Sequence, residues 1–362
     1  MVKILKSKPE RGFKRFTRIY ADLVMVIAVA LLSGCSPVGP TRYQGGFFGT
    51  FDTFVQVILY ADSEQSFEGH FLAVQDMFTH YHRLFNIFES FDGVNNLRTV
   101  NENAGIAPVA VEQEVIYLLK ISRQAYFDTD GAINVTLGPV LSIWHDYRLR
   151  GSRDVENATL PTYGVLREAA ALADINGLVI DAEVGTVFLT ALGMSLDVGA
   201  TAKSFAASRA AALLRERGVS AAIIDAGGDV VTIGESPVNG GQPWSVGVRD
   251  FRTNSLFDTV RARDMAAATS GGYIRHFIVD GTEYNHIIDP VTLMPATRYA
   301  FVTILHEDAN VAEMLSTALF ILPFEAGYAL ARRFDAAAVW VFLDGTAEYN
   351  ARYGAMSVNF GA

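Results

Sequence analysis

The sequence predicts an α+β fold of mixed, largely antiparallel sheets with helices packed on them. It reads as one domain with room for two sublobes. Three observations carry this. Short β-rich runs come in hairpin pairs, residues 178–180 with 187–189 and residues 277–279 with 283–288 around Asp280-Gly281. Helices and strands do not alternate as a doubly wound parallel sheet requires. After residue 50 there is no tandem repeat and no low-complexity linker.

Taken in order, residues 54–60 (FVQVILY) form a strand by their β-branched and aromatic content. Residues 63–89 carry apolar side chains at helical spacing (Phe67, Phe71, Val74, Phe78, Tyr81, Phe85), and Ser63 or Ser66 can cap them. Asp92-Gly93 breaks the chain, and residues 95–105 read as a polar, Asn-rich loop. Residues 111–126 are an amphipathic helix that ends in the turn chemistry of Asp128-Thr129-Asp130-Gly131. Beyond the first hairpin, residues 201–217 are a helix closed by Gly218. Residues 221–225 are a buried strand, and residues 244–248 alternate like another. Residues 301–305 are a strand, 309–322 and 325–333 are helices, and 338–343 a last strand.

The N-terminus is a different kind of segment. A basic leader (Lys3, Lys6, Lys8, Arg11, Lys14, Arg15, Arg18) precedes an apolar run over residues 23–32 and Leu32-Ser33-Gly34-Cys35. These are marks of an export signal, and the run is short for a membrane span. Cys35 is the sole cysteine, so no internal disulfide can form. The pattern resembles a bacterial lipoprotein signal. Residues 1–34 are then the signal peptide, residues 35–47 the lipid-bearing Cys35 and a tether (polar over 36–44), and residues 48–362 the folded domain. An uncleaved anchor helix is the competing reading, and Asp22 argues against it. Either way the protein works outside the cytoplasm, tied to a membrane. The chain carries a net charge of −10, and the part after the cationic leader is more acidic still. That disfavours nucleic acid as a partner.

Four polar blocks could carry chemistry. In Leu196-Asp197-Val198-Gly199-Ala200-Thr201-Ala202-Lys203-Ser204 a strand ends and a helix begins, so free N–H groups and Lys203 could face a phosphate. A plain turn with Thr201 as cap looks the same. Asp225-Ala226-Gly227-Gly228-Asp229 lets a backbone approach something closely, or is simply a tight turn. Thr269-Ser270-Gly271 and His286-Ile287-Ile288-Asp289-Pro290 form the third block. His286 beside a carboxylate can act as a general base, or be a strand-end His bonded to a carbonyl. Glu313 and Thr317 lie i, i+4 on a helix, where they could hold a hard cation or form a solvated face. The other histidines lack zinc-type spacing, and the chain has no Walker A, Gly-x-Ser-x-Gly or Gly-x-Gly-x-x-Gly motif.

In this order, with Phe51-Asp52-Thr53, residues 130–139 (DGAINVTLGP) and residues 315–319 (LSTAL), the blocks resemble the ApbE family of FAD:protein FMN transferases. The resemblance runs from about residue 48 to near the C-terminus. It implies that FAD binds with Mg²⁺ and that its FMN half moves to a threonine hydroxyl of a target protein, releasing AMP. The implied targets are subunits of Rnf or Nqr-type membrane redox complexes, or flavin-bearing reductase domains. By motif position, Phe51, Phe91, Ala132, Ile133, Asn134, Asp197, Lys203, Ser270, His286 and Ile287 line the flavin site. His286, with Asp289, serves the acceptor hydroxyl. Ala200 (through its carbonyl), Glu313 and Thr317 hold Mg²⁺. The family usually has Asp at 313, Gly at 204, Asp at 134 and Tyr at 91. Two further readings stand beside the transferase reading: an Mg²⁺-dependent FAD pyrophosphatase, which keeps the site while water replaces threonine, and a non-catalytic flavin-binding envelope lipoprotein, which the Glu313 and Asn134 departures favour.

Overall fold

The computed structural model describes residues 40–361 apart from Phe251 and Ile274. The leader, Cys35 and residues 36–39 of the expected tether lie outside the described residues. The chain opens with β1 (Thr41–Thr50) and β2 (Thr53–Ala61), then α1 (Glu64–Phe85), α2 (Leu97–Glu102), β3 (Val109–Ala110) and α3 (Gln113–Asp128). Next come α4 (Gly138–Arg153), α5 (Tyr163–Ala170), β4 (Leu178–Asp181), β5 (Thr186–Leu189) and α6 (Ala202–Glu216). β6 (Ala222–Ala226), β7 (Asp229–Ile233), β8 (Trp244–Asp250), β9 (Ser255–Ala262) and β10 (Ala266–Gly271) follow. The chain closes with β11 (His276–Val279), β12 (Thr282–Asn285), β13 (Tyr299–His306), α7 (Ala309–Ile321), α8 (Phe324–Arg333), β14 (Ala337–Phe342), β15 (Ala347–Tyr349) and α9 (Ala351–Met356).

Eight strands make one sheet in the order β1-β2-β6-β7-β10-β13-β14-β15, and every neighbouring pair is antiparallel. The α+β expectation therefore holds, and both expected hairpins form, β4 with β5 and β11 with β12. Asp280 and Gly281, at φ 49° and 76°, make the two-residue turn between β11 and β12.

Both faces of the large sheet are covered. On one, Val55, Val57 and Leu59 share a core with Phe67 and Phe78 of α1, Phe205 of α6 and Leu315 and Leu319 of α7. On the other, the β8–β9 ribbon and Tyr353 of α9 bury Phe301, Leu305, Val339 and Val341. β13 is accordingly buried at all but its last residue, while β8, with one wet face, alternates buried and exposed. A third cluster joins Val140 and Trp144 of α4, Leu166 of α5, Phe277, Ile288 and Leu293. It is the physical content of the expected second sublobe.

Several expectations change. Thr41–Gln44, assigned to the tether, are the first residues of β1 and pair with residues 58–61 of β2. The 95–105 loop contains α2: the Asn96 side chain accepts from Thr99 N–H at 3.2 Å, and Leu97 and Val100 are its buried anchors. Two apolar positions in six residues are too few for periodicity to reveal a helix. Helices α4, α5 and α9 and strands β9, β10 and β15 also exceed what the pattern showed. The expected strand 283–288 stops at Asn285. There the Asn285 side chain accepts from Ile287 N–H (2.8 Å) and donates to Ala296 O (2.7 Å), turning the chain out of the hairpin.

Candidate active site

The N-terminus of α6 is the centre of the site. A helix start leaves backbone N–H groups without intrahelical partners. Thr201 occupies the cap position, yet its side chain makes no capping bond. Its hydroxyl instead meets Ser122 at 3.0 Å and donates to Val198 O at 3.3 Å. The cap comes from elsewhere: Glu313 Oε2, on α7, accepts from Ser204 N–H at 3.0 Å. Thr201 as cap is thus corrected, because the buried hydroxyl finds nearer partners and leaves the helix start to a carboxylate. Glu313 Oε1 takes the Lys203 ammonium in an ion pair. That ammonium also reaches Asp229 Oδ2 at 3.0 Å. Asp229 and Glu313 are almost wholly buried, 6% and 2% exposed. Burial opposes the charge on Lys203, but Asp229 and Glu313 together outweigh it and raise its pKa. Burial pushes the Glu313 carboxyl up, against the pull of Lys203. Both directions fit one ammonium shared by two carboxylates.

Beside this cluster Ser270, near the end of β10, touches the Ser316 and Thr317 hydroxyls of α7 at 2.9 and 3.1 Å. Glu313 and Thr317, one helical turn apart, therefore face the same region. Ala200 sits half-buried in the turn just ahead of α6. A carboxylate, a hydroxyl and a main-chain carbonyl are hard oxygen donors suited to Mg²⁺. Each Glu313 oxygen bears one hydrogen bond and keeps a further lone pair, so the residues fit such an ion.

The loop of residues 130–137 closes one side. Asp130 and Gly131 take left-handed φ values of 50° and 84°. Thr129 Oγ1 accepts from Ile133 N–H at 3.0 Å, placing Ala132 and Ile133. Asn134 accepts from Thr136 N–H (2.9 Å) and Thr136 Oγ1–H (2.7 Å) and donates to Ala173 O (3.1 Å). Its amide therefore shapes the loop. Asp197 is tied in through its N–H to Val135 O at 2.9 Å. Asn101 of α2 brackets the preceding residue, accepting from Leu196 N–H (2.7 Å) and donating to Leu196 O (3.1 Å). The helix that the sequence pattern did not show thus holds the segment that carries Asp197; the strand expected before α6 is irregular here, since β5 ends at Leu189. Burial pushes the Asp197 carboxyl up, opposed by the Gly199 N–H bonded to it at 2.8 Å.

The other wall is wetter and cationic. Phe51 N–H donates to His82 Nδ1 at 3.1 Å, and the two rings meet edge to face at 5.7 Å. His82 in turn contacts Phe91, whose face carries the Arg83 guanidinium at 5.3 Å. His82, on α1, thereby joins Phe51 to Phe91. His286 points out between buried Asn285 and Ile287 and is exposed on its outer side. Burial of its inner side against the wall, then the charges of Arg275, Arg148 and Lys203, push its pKa down to about 3, so it is neutral at pH 7. Arg275 pairs with Asp52 at 3.1 Å, and Arg148 Nη2 lies 3.1 Å from His145 Nδ1. Asp289 does not partner His286: its carboxylate accepts from Val291 N–H at 2.8 Å and Thr292 N–H at 3.4 Å, and holds the turn after Pro290. The expected His–carboxylate dyad therefore does not form, because the Asp289 carboxylate is taken by its own turn.

Asp229, Arg148 and Arg275 were not anticipated as site residues. The Gly-Gly-Asp block was a signal for the first; nothing in the sequence marks the arginines.

Residues 51–340 match the ApbE family. The chain belongs to the ApbE family. Among its relatives, the FAD:protein FMN transferase of Treponema pallidum is 32% identical over 289 residues, covering 75% of this chain and 77% of that protein. A Klebsiella pneumoniae FAD:protein FMN transferase is 28% identical over 72% of this chain and 81% of its own length. The crystal structure of the ApbE protein from Thermotoga maritima superposes with a TM-score of 0.75 at 28% identity, over 87% of this chain and 99% of that one. The apo flavinyl transferase ApbE of Pseudomonas stutzeri shares the fold at 23% identity (TM-score 0.75, 91% and 99% coverage). In this ApbE-family chain Glu313 meets Lys203 and the start of α6 at once.

Proposed function

We propose that this chain is an FAD:protein FMN transferase that moves FMN from FAD to a threonine hydroxyl of a protein acceptor. The observation that carries the reading is the meeting of the α6 N-terminus, Lys203 and the Glu313–Thr317 face of α7 at one point. Helix N–H groups and an ammonium bind phosphate oxygens. Glu313, Thr317 and the Ala200 carbonyl would hold Mg²⁺. That ion would neutralise charge on the diphosphate and on the leaving AMP.

The chain's own residues account for the rest. The acceptor oxygen forms a bond to the FMN phosphorus, the P–O–P bond breaks, and AMP departs with the bridging oxygen. The acceptor proton needs a base, and neutral His286, open on its outer side, can take it. Its low basicity comes partly from Arg275, Arg148 and Lys203. A bound diphosphate offsets those charges, so substrate binding raises the basicity of His286. Phe51 and Phe91, braced by His82, offer aromatic surface to the flavin, with Ala132, Ile133, Asn134, Asp197, Ser270 and Ile287 around it.

The wet approach to His286 also admits water, and this supports FAD hydrolysis as the side reaction when no acceptor is bound. Incubation with FAD and Mg²⁺, with and without an acceptor domain, tests both. Transfer gives an acceptor heavier by FMN in the mass spectrum. FMN and AMP released at the same rate in either case, with no adduct, would overturn the transferase reading. The leader supports an extracytoplasmic location with a lipid on Cys35. Mass analysis of the chain purified from membranes tests that, since Cys35→Ala should abolish both the lipid and membrane retention.

A further inference from the structure

We propose that Asp229 is a positioning residue: it gives the Lys203 ammonium a second seat, so that Glu313 can turn to a divalent cation. The inference rests on the reading that Glu313 is a ligand of that cation. Asp229 is nearly buried, and neither the family resemblance nor the proposed mechanism gives it a role.

The geometry is that of a shared charge. Lys203 has three N–H donors. It pairs with Glu313 and, at 3.0 Å, with Asp229. A cation arriving at Glu313 competes with the ammonium already there. If Glu313 were its sole partner, the Lys203 ammonium, with its side chain only 29% exposed, would be left charged and unpaired beside buried carboxylates, at a cost. With Asp229 in place, Lys203 loses one contact and keeps the other. Two carboxylates against one ammonium also leave the cluster net negative, which favours a further cation.

Asp229 is built to stay put. It begins β7 and pairs with Ala226 across the β6–β7 turn. Gly227 and Gly228 form that turn at φ 70° and 98°, in the left-handed region. A Cβ on Gly227 would lie 1.9 Å from Thr53 Oγ1, so only glycine fits. The Asp225 carboxylate accepts from Gly228 N–H at 2.7 Å and locks the loop. A carboxylate held this rigidly can retain an ammonium while Glu313, on another element, changes partner.

The test is Mn²⁺ binding to the full chain without FAD, read by electron paramagnetic resonance, for Asp229→Asn, Lys203→Met and the double variant. Asp229→Asn should weaken Mn²⁺ binding by about tenfold or more, the scale of a charged hydrogen bond. With Lys203→Met there is no ammonium to seat, so adding Asp229→Asn should change affinity by no more than about twofold, within ordinary additivity. Asp229→Glu, which keeps the carboxylate, should bind close to wild type. Should Asp229→Asn fail to fold, Asp229→Ser is the second neutral variant. Unchanged Mn²⁺ affinity in Asp229→Asn, or equal weakening in both Lys203 backgrounds, overturns the proposal while sparing Glu313 as ligand. Mn²⁺ affinity indifferent to Glu313→Gln overturns the Glu313 reading, and this inference with it.

Discussion

The two walls of the site are built on opposite principles. The α6–α7 wall is the drier one, buried at Glu313, Asp229, Ser204 and Ser316, and the polar groups at its centre are committed: Glu313 to Lys203 and Ser204, Lys203 to Asp229, Ser270 to Ser316 and Thr317. The wall of His286, Arg275, Arg148 and Asp52 is wet and loosely held. Asp52 is 92% exposed at its side chain, and its bond to Arg275 is a surface ion pair. A dry, satisfied network preserves geometry and magnifies electrostatic effects. A wet cationic wall can admit and release a large partner without breaking buried bonds. The contrast suits a reaction in which one substrate is gripped by its phosphates and the other, a protein, must come and go.

The comparison breaks most sharply at His286. His286→Ala should lower the rate of covalent flavin incorporation by about 10²–10⁴, the span of general-base catalysis. FAD affinity, measured by flavin fluorescence, should hold because the dry wall is untouched. Loss of FAD binding in parallel would show that the two walls do not divide the work. Glu313→Ala strikes the dry wall. It should cost about 10²–10³ in rate and about 1–3 kcal/mol in stability, since the buried Ser204 N–H loses its acceptor while Lys203 keeps Asp229. Chemical denaturation reads the second number; an unchanged midpoint would mean that the network is not structural.

Glu313→Asp sharpens the same point. The shorter arm falls about 1.5 Å short, so it should lose both rate and stability, though less than Ala. A gain in either would show that the longer side chain weakens the site. The pH dependence separates the walls next. His286 has a folded pKa depressed to about 3, below its ordinary value of 6.5. Between those values the unfolded chain binds more protons, so stability is full above about pH 6.5 and falls as pH drops towards 3. Melting temperatures across that window should fall, and fall less steeply in His286→Gln. The smallest effect belongs to Asp52→Ala. Exposed pairs contribute little, so the melting temperature should stay within error. The KM for the acceptor should become more salt-dependent as Arg275 loses its screen.

Much of the fold was legible locally. The hairpin turn at Asp280-Gly281 and the cap at Ser63, which accepts from Ser66 N–H at 3.2 Å, are read from neighbours a few residues apart. So is the stop at Gly218, where φ is 83°. What hid was short or doubly buried. α2 has two apolar anchors, β10 reads Ala-Ala-Ala-Thr-Ser-Gly, and β1 is rich in glycine and Phe without clean alternation. In the site, the i, i+4 spacing of Glu313 and Thr317 and the helix start near Lys203 were visible. The turn role of Asp289 was not, because Pro290 and Thr292 matter to it only once the loop folds back on Leu293 and Met294.

The sequence by itself determined the longer, strongly patterned elements, their mixed antiparallel class and the oxygen-rich blocks that could meet phosphate and metal, since periodicity, caps and turns act over a handful of residues. Only the tertiary structure decided that Glu313 caps the start of α6, far earlier in the chain, and that Lys203 divides its charge between Glu313 and Asp229. Those pairings depend on α6 and α7 lying side by side on one face of the eight-stranded sheet. Burial of the whole core selects that arrangement, and no local stretch of chain encodes it.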